Sequence, residues 1–225
     1  IAVERAVSLG IDRDRIDLVK NVVACGTQQK DLDNCTANPT RILFVGRLGE
    51  EKRPELFVKL AYELVNTLPD RQLKFQIVGD GPLRPKLETL ARGYGLAPDI
   101  FSLDGERSEM RDVYSLADIL ILTSKHEGTP NVVLEALSNS IPVVATSVGG
   151  VPEILNNKMG FVVDPMDFRG LLNATAELIV NRDIRTTLGT NGRQYVRENH
   201  SLTYLEERLS GIYSRLLGSR HNARC

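Results

Sequence analysis

The chain has 225 residues, 42% of them hydrophobic, and a formal net charge of −1. That is enough for one domain with a full core, and near-zero charge argues against a dedicated nucleic-acid binder. Trp is absent and aromatics are 5% of the chain, so platforms for stacking bases are scarce.

The three cysteines, Cys25, Cys35 and Cys225, are odd in number and lack metal-site spacing. They read as reduced thiols of a cytosolic protein. No apolar run approaches the roughly 18 residues of a membrane span, and no signal-peptide pattern is visible. The first residue is Ile1 rather than Met, which fits either an excised fragment or a missing start.

Residues 1–15 read as a helix closing at Gly10, then a turn. Asp12 and Asp14 have the spacing of a metal-binding acid pair, but no strand closely precedes them and a solvated turn is the better reading. Ile16–Ala24 reads as a strand with polar interruptions, and 27–40 as an exposed loop with Asn38-Pro39 near its end. Ile42–Val45 is a buried strand by its apolar run. A turn through Gly46-Arg47-Leu48-Gly49 follows, then a helix from about Pro54 to Thr67. That helix puts Phe57, Leu60, Ala61, Leu64 and Val65 on one side. Arg47 and Lys52 beside the turn are either surface charges or an anion site; Arg53 is a rival to Lys52, but the register favours Lys52.

Leu73–Val78 predicts another strand. Gly79-Asp80-Gly81-Pro82-Leu83 then turns into a helix running to about Tyr94. This segment lacks the third glycine of the dinucleotide fingerprint, and no well-placed ribose-binding acid follows the first strand. Ile100–Leu103 is a short strand, and Ser108 is the expected cap of a helix ending at Leu116.

Asp118-Ile119-Leu120-Ile121-Leu122 predicts a buried, parallel strand. In the polar loop after it, Thr129 is the expected helix cap and Pro130 the expected first helical residue. Glu127 falls in the loop and Glu135 inside the helix. Strand end, glycine turn and helix N-terminus together make an anion site. Two carboxylates would repel a phosphate there, but they make sense as acceptors for sugar or ribose hydroxyls. His126 reads as a surface or supporting residue.

Ile141–Ala145 and Gly160–Val163 are further strands, with Gly149-Gly150 and a Pro152-started helix between them. Helices fill about 168–181, 183–198 and 202–217. Ser201 is the expected cap of the last, which carries a stripe of Leu205, Leu209, Ile212 and Leu216. Residues 219–225 have no apolar period and read as a loose tail. The alternation predicts one α/β domain: a Rossmann-like, open, mostly parallel β-sheet with helices on both faces.

The stretch 124–153, SKHEGTPNVVLEALSNSIPVVATSVGGVPE, resembles the Glu-x7-Glu signature of the retaining, family-4-type group 1 glycosyltransferases. These have the GT-B fold of two Rossmann-like domains and include many enzymes of bacterial polysaccharide and lipid-glycan biosynthesis. The resemblance covers roughly residues 20–218 and matches the donor-binding C-terminal half. Residues 1–218 are therefore expected to be that half. The resemblance then implies that the N-terminal acceptor domain, about 150–200 residues by usual domain size, is expected to lie outside this sequence.

The resemblance also implies site roles. Gly46, Arg47, Lys52, Gly79, Gly81, Leu83, Gly105, Glu127, Gly128, Thr129, Pro130, Asn131 and Glu135 are the implied nucleotide-sugar contacts. Arg47, Lys52 and Glu127 are the implied catalytic residues. Arg47 and Lys52 hold the diphosphate, Glu127 faces the donor sugar, and Glu135 holds the ribose hydroxyls. The loop Leu103–Arg107 lies near the nucleobase. The family's Pro-Asn-Gly turn is replaced by Ala24-Cys25-Gly26, where only the glycine survives.

No cofactor and no divalent metal are implied. The expected partners are a nucleotide sugar, with a UDP-sugar favoured, and a glycan, lipid-linked or small-molecule acceptor. No nucleic acid is expected. The expected location is the cytoplasm, with the full-length protein able to touch the inner face of the cytoplasmic membrane. The fragment alone is expected to be nearly inactive as a transferase and to self-associate weakly. The alternatives are a sugar-nucleotide epimerase of the same fold and a non-catalytic nucleotide-sugar binding module.

Overall fold

A computed structural model describes residues 2–24 and 39–221, with backbone only at 2 and 218–221. Six strands form one sheet: β1 (Thr40–Val45), β2 (Leu73–Val78), β3 (Phe101–Leu103), β4 (Ile119–Leu122), β5 (Val143–Thr146) and β6 (Gly160–Val163). Their order is β3-β2-β1-β4-β5-β6, and all five pairings are parallel. Parallel neighbours need a crossover between them, which a helix supplies. The helices are α1 (Ala2–Ser8), α2 (Pro54–Thr67), α3 (Arg84–Gly93), α4 (Arg111–Leu116), α5 (Asn131–Ser138), α6 (Val151–Ile154), α7 (Phe168–Val180), α8 (Arg182–Asn199) and α9 (Leu202–His221). None of them is long and apolar enough to cross a membrane.

Both faces of the sheet are covered, because successive side chains on a strand point to opposite sides. Ile42, Phe44, Ile119, Ile121 and Val144 pack with residues of α2, α3 and α7. Leu43, Leu120, Leu122, Val143 and Ala145 pack on the other side, with α4, α5, α6 and α8. This is why the strands read as unbroken apolar runs rather than alternating ones. Phe57 of α2 anchors the first layer, with its ring 5.6 Å from Phe44, 6.0 Å from Phe75 and 6.4 Å from Phe101.

Several local expectations are corrected. Ile16–Ala24 is not a strand. It lies against the C-terminal helices: Val23 N–H donates to His200 O, and the Arg208 guanidinium donates to Leu18 O. Asp17 pairs with Arg208 and Arg215. The polar residues that interrupt this segment are the ones holding it there, away from the sheet. Ser108 does not cap α4, whose N-cap is Met110 with no side-chain bond. Helix α9 continues through 219–221, so the expected tail is helical that far. The expected cap of α9 is present, with Ser201 Oγ accepting from Tyr204 N–H at 3.1 Å. Cys25, Gly26, Cys35, Cys225 and most of the expected 27–40 loop lie outside the described residues.

His200 ties the N-terminal segment to α8. Its Nδ1 is 2.7 Å from Asn21 O, so that nitrogen carries the proton, and its Nε2 is 3.4 Å from the Tyr195 hydroxyl. Burial lowers its pKa from the ordinary value near 6.5; the bond to Asn21 opposes that shift and the charge of Lys20 adds to it. Below about pH 6.5 the unfolded chain gains a proton that the folded chain refuses, so stability falls with acidification. Thermal unfolding should show a steeper loss of Tm from about pH 7.5 to about pH 5.5 in the wild type than in His200→Gln; equal slopes would exclude His200 as the cause.

Candidate functional site

A parallel sheet puts every strand's carboxyl end on one edge. The connection from β1 leads to β2, and that from β4 leads to β5, on opposite sides. A crevice opens where the direction reverses, between the loops after β1 and β4. The loop 46–53 and the loop 123–130 meet there, and they carry most of the candidate residues.

Lys52 Nζ donates to Glu127 Oε1 at 2.6 Å, and Ser124 Oγ donates to the same oxygen at 2.6 Å. The Glu127 side chain is only 8% exposed, against 22% for Lys52. One carboxylate oxygen is therefore saturated by a cation and a hydroxyl. Arg47 is exposed, and no partner of its side chain occurs among the described residues. Arg53, adjacent to Lys52, is buried and plays a different part. Its guanidinium donates to three backbone carbonyls: Thr123 O (2.7 Å), Pro165 O (2.8 Å) and Ser124 O (3.4 Å). In return the Thr123 hydroxyl donates to Lys52 O at 2.7 Å and lies 3.0 Å from Arg53 O. Burial lowers the Arg53 pKa, and the Glu55 charge works against that shift. Of the two rival cations, the pairing with Glu127 belongs to Lys52.

The glycines stitch neighbouring loops together. Gly79 has φ +140°, and a Cβ there would come within 2.0 Å of Gly46 O. Gly79 N–H donates to Gly105 O at 2.8 Å, and Leu83 N–H to Leu48 O at 3.0 Å. The loops after β1, β2 and β3 thus form one surface holding Gly46, Gly79, Gly81, Leu83 and Gly105, with the Leu83 side chain packed against the core. On the other side of the crevice, Gly149 at φ +52° lies against Glu127, where a Cβ would sit 1.7 Å from Glu127 O. Gly150 N–H donates to Gly128 O at 3.0 Å. The loop that carries Glu127 and Gly128 therefore rests on backbone that tolerates no side chain.

Helix α5 starts one residue later than expected. Pro130 is its N-cap, at φ −73° and ψ 106°, and Thr129 makes no capping bond. The ring fixes φ there, and Pro has no N–H to satisfy. The first N–H groups of the helix face the loop, since they have no intrahelical partners. Asn131 Oδ1 accepts from Asn21 Nδ2 at 2.9 Å, which brings the N-terminal segment to the head of this helix. Glu135 shares the Asn131 face, one turn on. Its Oε2 accepts from the Tyr114 hydroxyl at 2.6 Å. His126 is exposed, and Asp12 flanks an exposed 3-10 turn, Arg13–Arg15.

Sequence reasoning missed Ser124 and Tyr114. A serine at a strand end and a tyrosine on an apolar helix face carry no signal of their own; their partners are set by packing. Among the described residues no group of three or more His, Cys, Asp or Glu side chains is placed to hold a metal ion. A cavity of about 140 Å³ opens beside Arg53, lined by Leu56, Thr146, Pro165 and Phe168 among others. It is bordered by none of Arg47, Lys52, Glu127 and Glu135.

The family model for glycosyl transferases group 1 matches residues 39–181, more than half of the chain. The chain belongs to this family. Among curated relatives, the sulfoquinovosyl transferase of Arabidopsis thaliana is 31% identical over 167 residues, 72% of this chain and 31% of its own length. The alpha-D-kanosaminyltransferase of Streptomyces kanamyceticus is 32% identical over 175 residues, 76% of this chain and 45% of its own. The chain thus spans less than half the length of these two relatives. HepE of Anabaena, solved with UDP, superposes with a TM-score of 0.81 at 18% identity, over 95% of this chain and 61% of its own. Sucrose-phosphate synthase from Thermosynechococcus elongatus gives 0.70 at 26% identity, over 83% of this chain and 47% of its own. Several GT-B glycosyltransferases thus share this fold.

Within this group 1 domain the neighbouring arginines have opposite expected sensitivities. Arg53→Met removes the guanidinium donor from the buried Thr123 carbonyl and the half-buried Pro165 carbonyl, while Ser124 O keeps its bond from the Thr146 hydroxyl; it should lower stability to urea by about 2–4 kcal/mol. Arg47→Ala removes an exposed side chain and should change it by less than about 0.5 kcal/mol. Equal losses would refute the structural reading of Arg53.

Proposed function

We propose that this chain is the donor-binding, C-terminal half of a retaining GT-B glycosyltransferase that uses a nucleoside-diphosphate sugar. The observation that carries this reading is the pairing of Lys52 with Glu127 at the switch point, with Arg47 on the same loop. A cation and a carboxylate meet where an α/β sheet takes its ligand. In this reading the diphosphate lies against Arg47, Lys52 and the N-terminus of α5. These offset the charge that grows on the leaving group as the sugar bond breaks. Fixed cations take the place of a divalent metal. Glu127, with Oε1 already held, accepts a sugar hydroxyl on Oε2. Glu135 accepts from the ribose. Gly46, Gly79, Gly81 and Gly105 let backbone approach the nucleotide, and Gly128, Thr129 and Asn131 line the phosphate side. UDP is the favoured nucleotide, being the one bound in the HepE structure.

The acceptor domain belongs to a partner half of about the same size. The reaction takes place in the cleft between the halves, where donor and acceptor are held at attack distance and water is excluded. The acceptor is a glycan, a lipid-linked glycan or a small molecule.

Calorimetric titration of the chain with UDP, GDP and ADP should give binding to at least one, unchanged by EDTA. No binding to any at millimolar concentration would sink the reading, and a requirement for Mg²⁺ would sink its metal-free form.

Glu135→Ala should weaken nucleoside diphosphate binding by roughly tenfold or more, the scale of a charged hydrogen bond. Glu127→Ala should weaken nucleotide-sugar binding while leaving the nucleoside diphosphate unchanged or tighter, because it releases Lys52. Equal losses for both ligands in the Glu127 variant would overturn the division of roles.

A further inference from the structure

Tyr114 is 4% exposed and sits in the middle of α4, in the layer shared with α5. Its hydroxyl crosses from α4 to α5 and donates to Glu135 Oε2 at 2.6 Å. We propose that Tyr114 is a positioning residue for Glu135, orienting that carboxylate toward the ribose of the bound nucleotide. The inference rests on the donor-site reading above and adds a residue to it.

Three features fit Tyr114 for this role. A glutamate one turn into a helix has several rotamers open to it, and ordering such a side chain costs conformational entropy. The Tyr114 bond removes that freedom before a ligand arrives and leaves Oε1 open. Second, α4 follows directly on the loop after β3, which carries Gly105. A rigid link from α4 to Glu135 fixes the distance between the loop assigned to the base and the acid assigned to the ribose. Third, the donor keeps its proton. Burial raises the phenol pKa above its ordinary value near 10, and the bond to Glu135 raises it further. Tyr114 therefore stays a neutral donor over the whole physiological range. A buried tyrosine hydroxyl needs some partner in any case, so the test must separate positioning from mere satisfaction.

The test measures binding of UDP, 2′-deoxy-UDP and 3′-deoxy-UDP to the 225-residue chain by calorimetry. The forms compared are the wild type, Tyr114→Phe, Glu135→Gln and the double variant, with Tm recorded for each. The wild type should prefer UDP over at least one deoxy analogue by about tenfold. Tyr114→Phe should compress that preference by roughly three- to tenfold, and the double variant should lose no more preference than Glu135→Gln alone. A Tyr114→Phe protein with a lower Tm but an unchanged UDP preference would overturn the inference and leave the donor-site reading standing. Additive losses in the double variant would overturn it as well. If Tyr114→Phe does not fold, the wild type and Glu135→Gln decide. A preference that survives Glu135→Gln leaves Tyr114 nothing to position and overturns the inference, whereas its loss supports it. A chain that binds GDP or ADP instead of UDP is put through the same comparison with the deoxy analogues of that nucleotide, and one that binds none of the three would overturn both readings together.

Discussion

Everything at the crevice depends on the buried guanidinium of Arg53. Three strand-end carbonyls converge on it, from Thr123, Ser124 and Pro165, and the Thr123 hydroxyl returns a bond to the Arg53 loop. A planar group with five donors can join three backbone segments at once. Arg53 itself adopts a left-handed conformation at φ 47°, which costs a side-chain-bearing residue about 1–2 kcal/mol. The cost is offset because the turn lets α2 begin immediately after a loop that must face β4. The backbone bond from Lys125 N–H to Glu51 O at 2.7 Å closes the same joint from the other side.

The consequence for chemistry is preorganisation. Lys52 and Glu127 are 75 residues apart in sequence, yet they meet at 2.6 Å because their loops are clamped on either side. An ion pair with one partner only 8% exposed is less screened than a surface pair and holds its geometry more firmly. The lysine is already committed, so any anion that draws on it must compete with a carboxylate in place. The two glycines behind Glu127 serve the same end, since any Cβ at Gly149 would displace the carbonyl of the acid it supports.

The N-terminal segment adds a second brace that crosses the whole chain. Asn21 accepts from His200 through its carbonyl and donates to Asn131 through its amide. The end of α8 and the head of α5 are thereby linked through a segment with no regular structure. Polar side chains that argue against a strand are the means of this linkage, which explains why the strand expectation for Ile16–Ala24 failed.

Much of the architecture was legible from sequence because it depends on local pattern. Apolar runs such as Ile42–Val45 and Ile119–Leu122 mark strands buried on both faces, and the 3.6-residue stripe of Phe57, Leu60, Ala61 and Leu64 marks the helix between. Glycines at strand ends and the two glutamates eight positions apart mark the site, since their spacing is a property of one continuous segment. Tertiary structure alone decided the rest. The register favoured Lys52 over Arg53 as the cation of the crevice, but the clamp that Arg53 makes depends on its left-handed turn and on the carbonyls of the loops after β4 and β6. Tyr114 and Ser124 reach the two glutamates only through contacts between α4 and α5 and within the β4 loop. Thr129 and Ser108 had the chemistry of caps, but capping requires an angle at the helix start that surrounding packing did not provide. Residue type and spacing determine which groups are available; the partner each one finds is fixed by the packing of segments far apart in the chain.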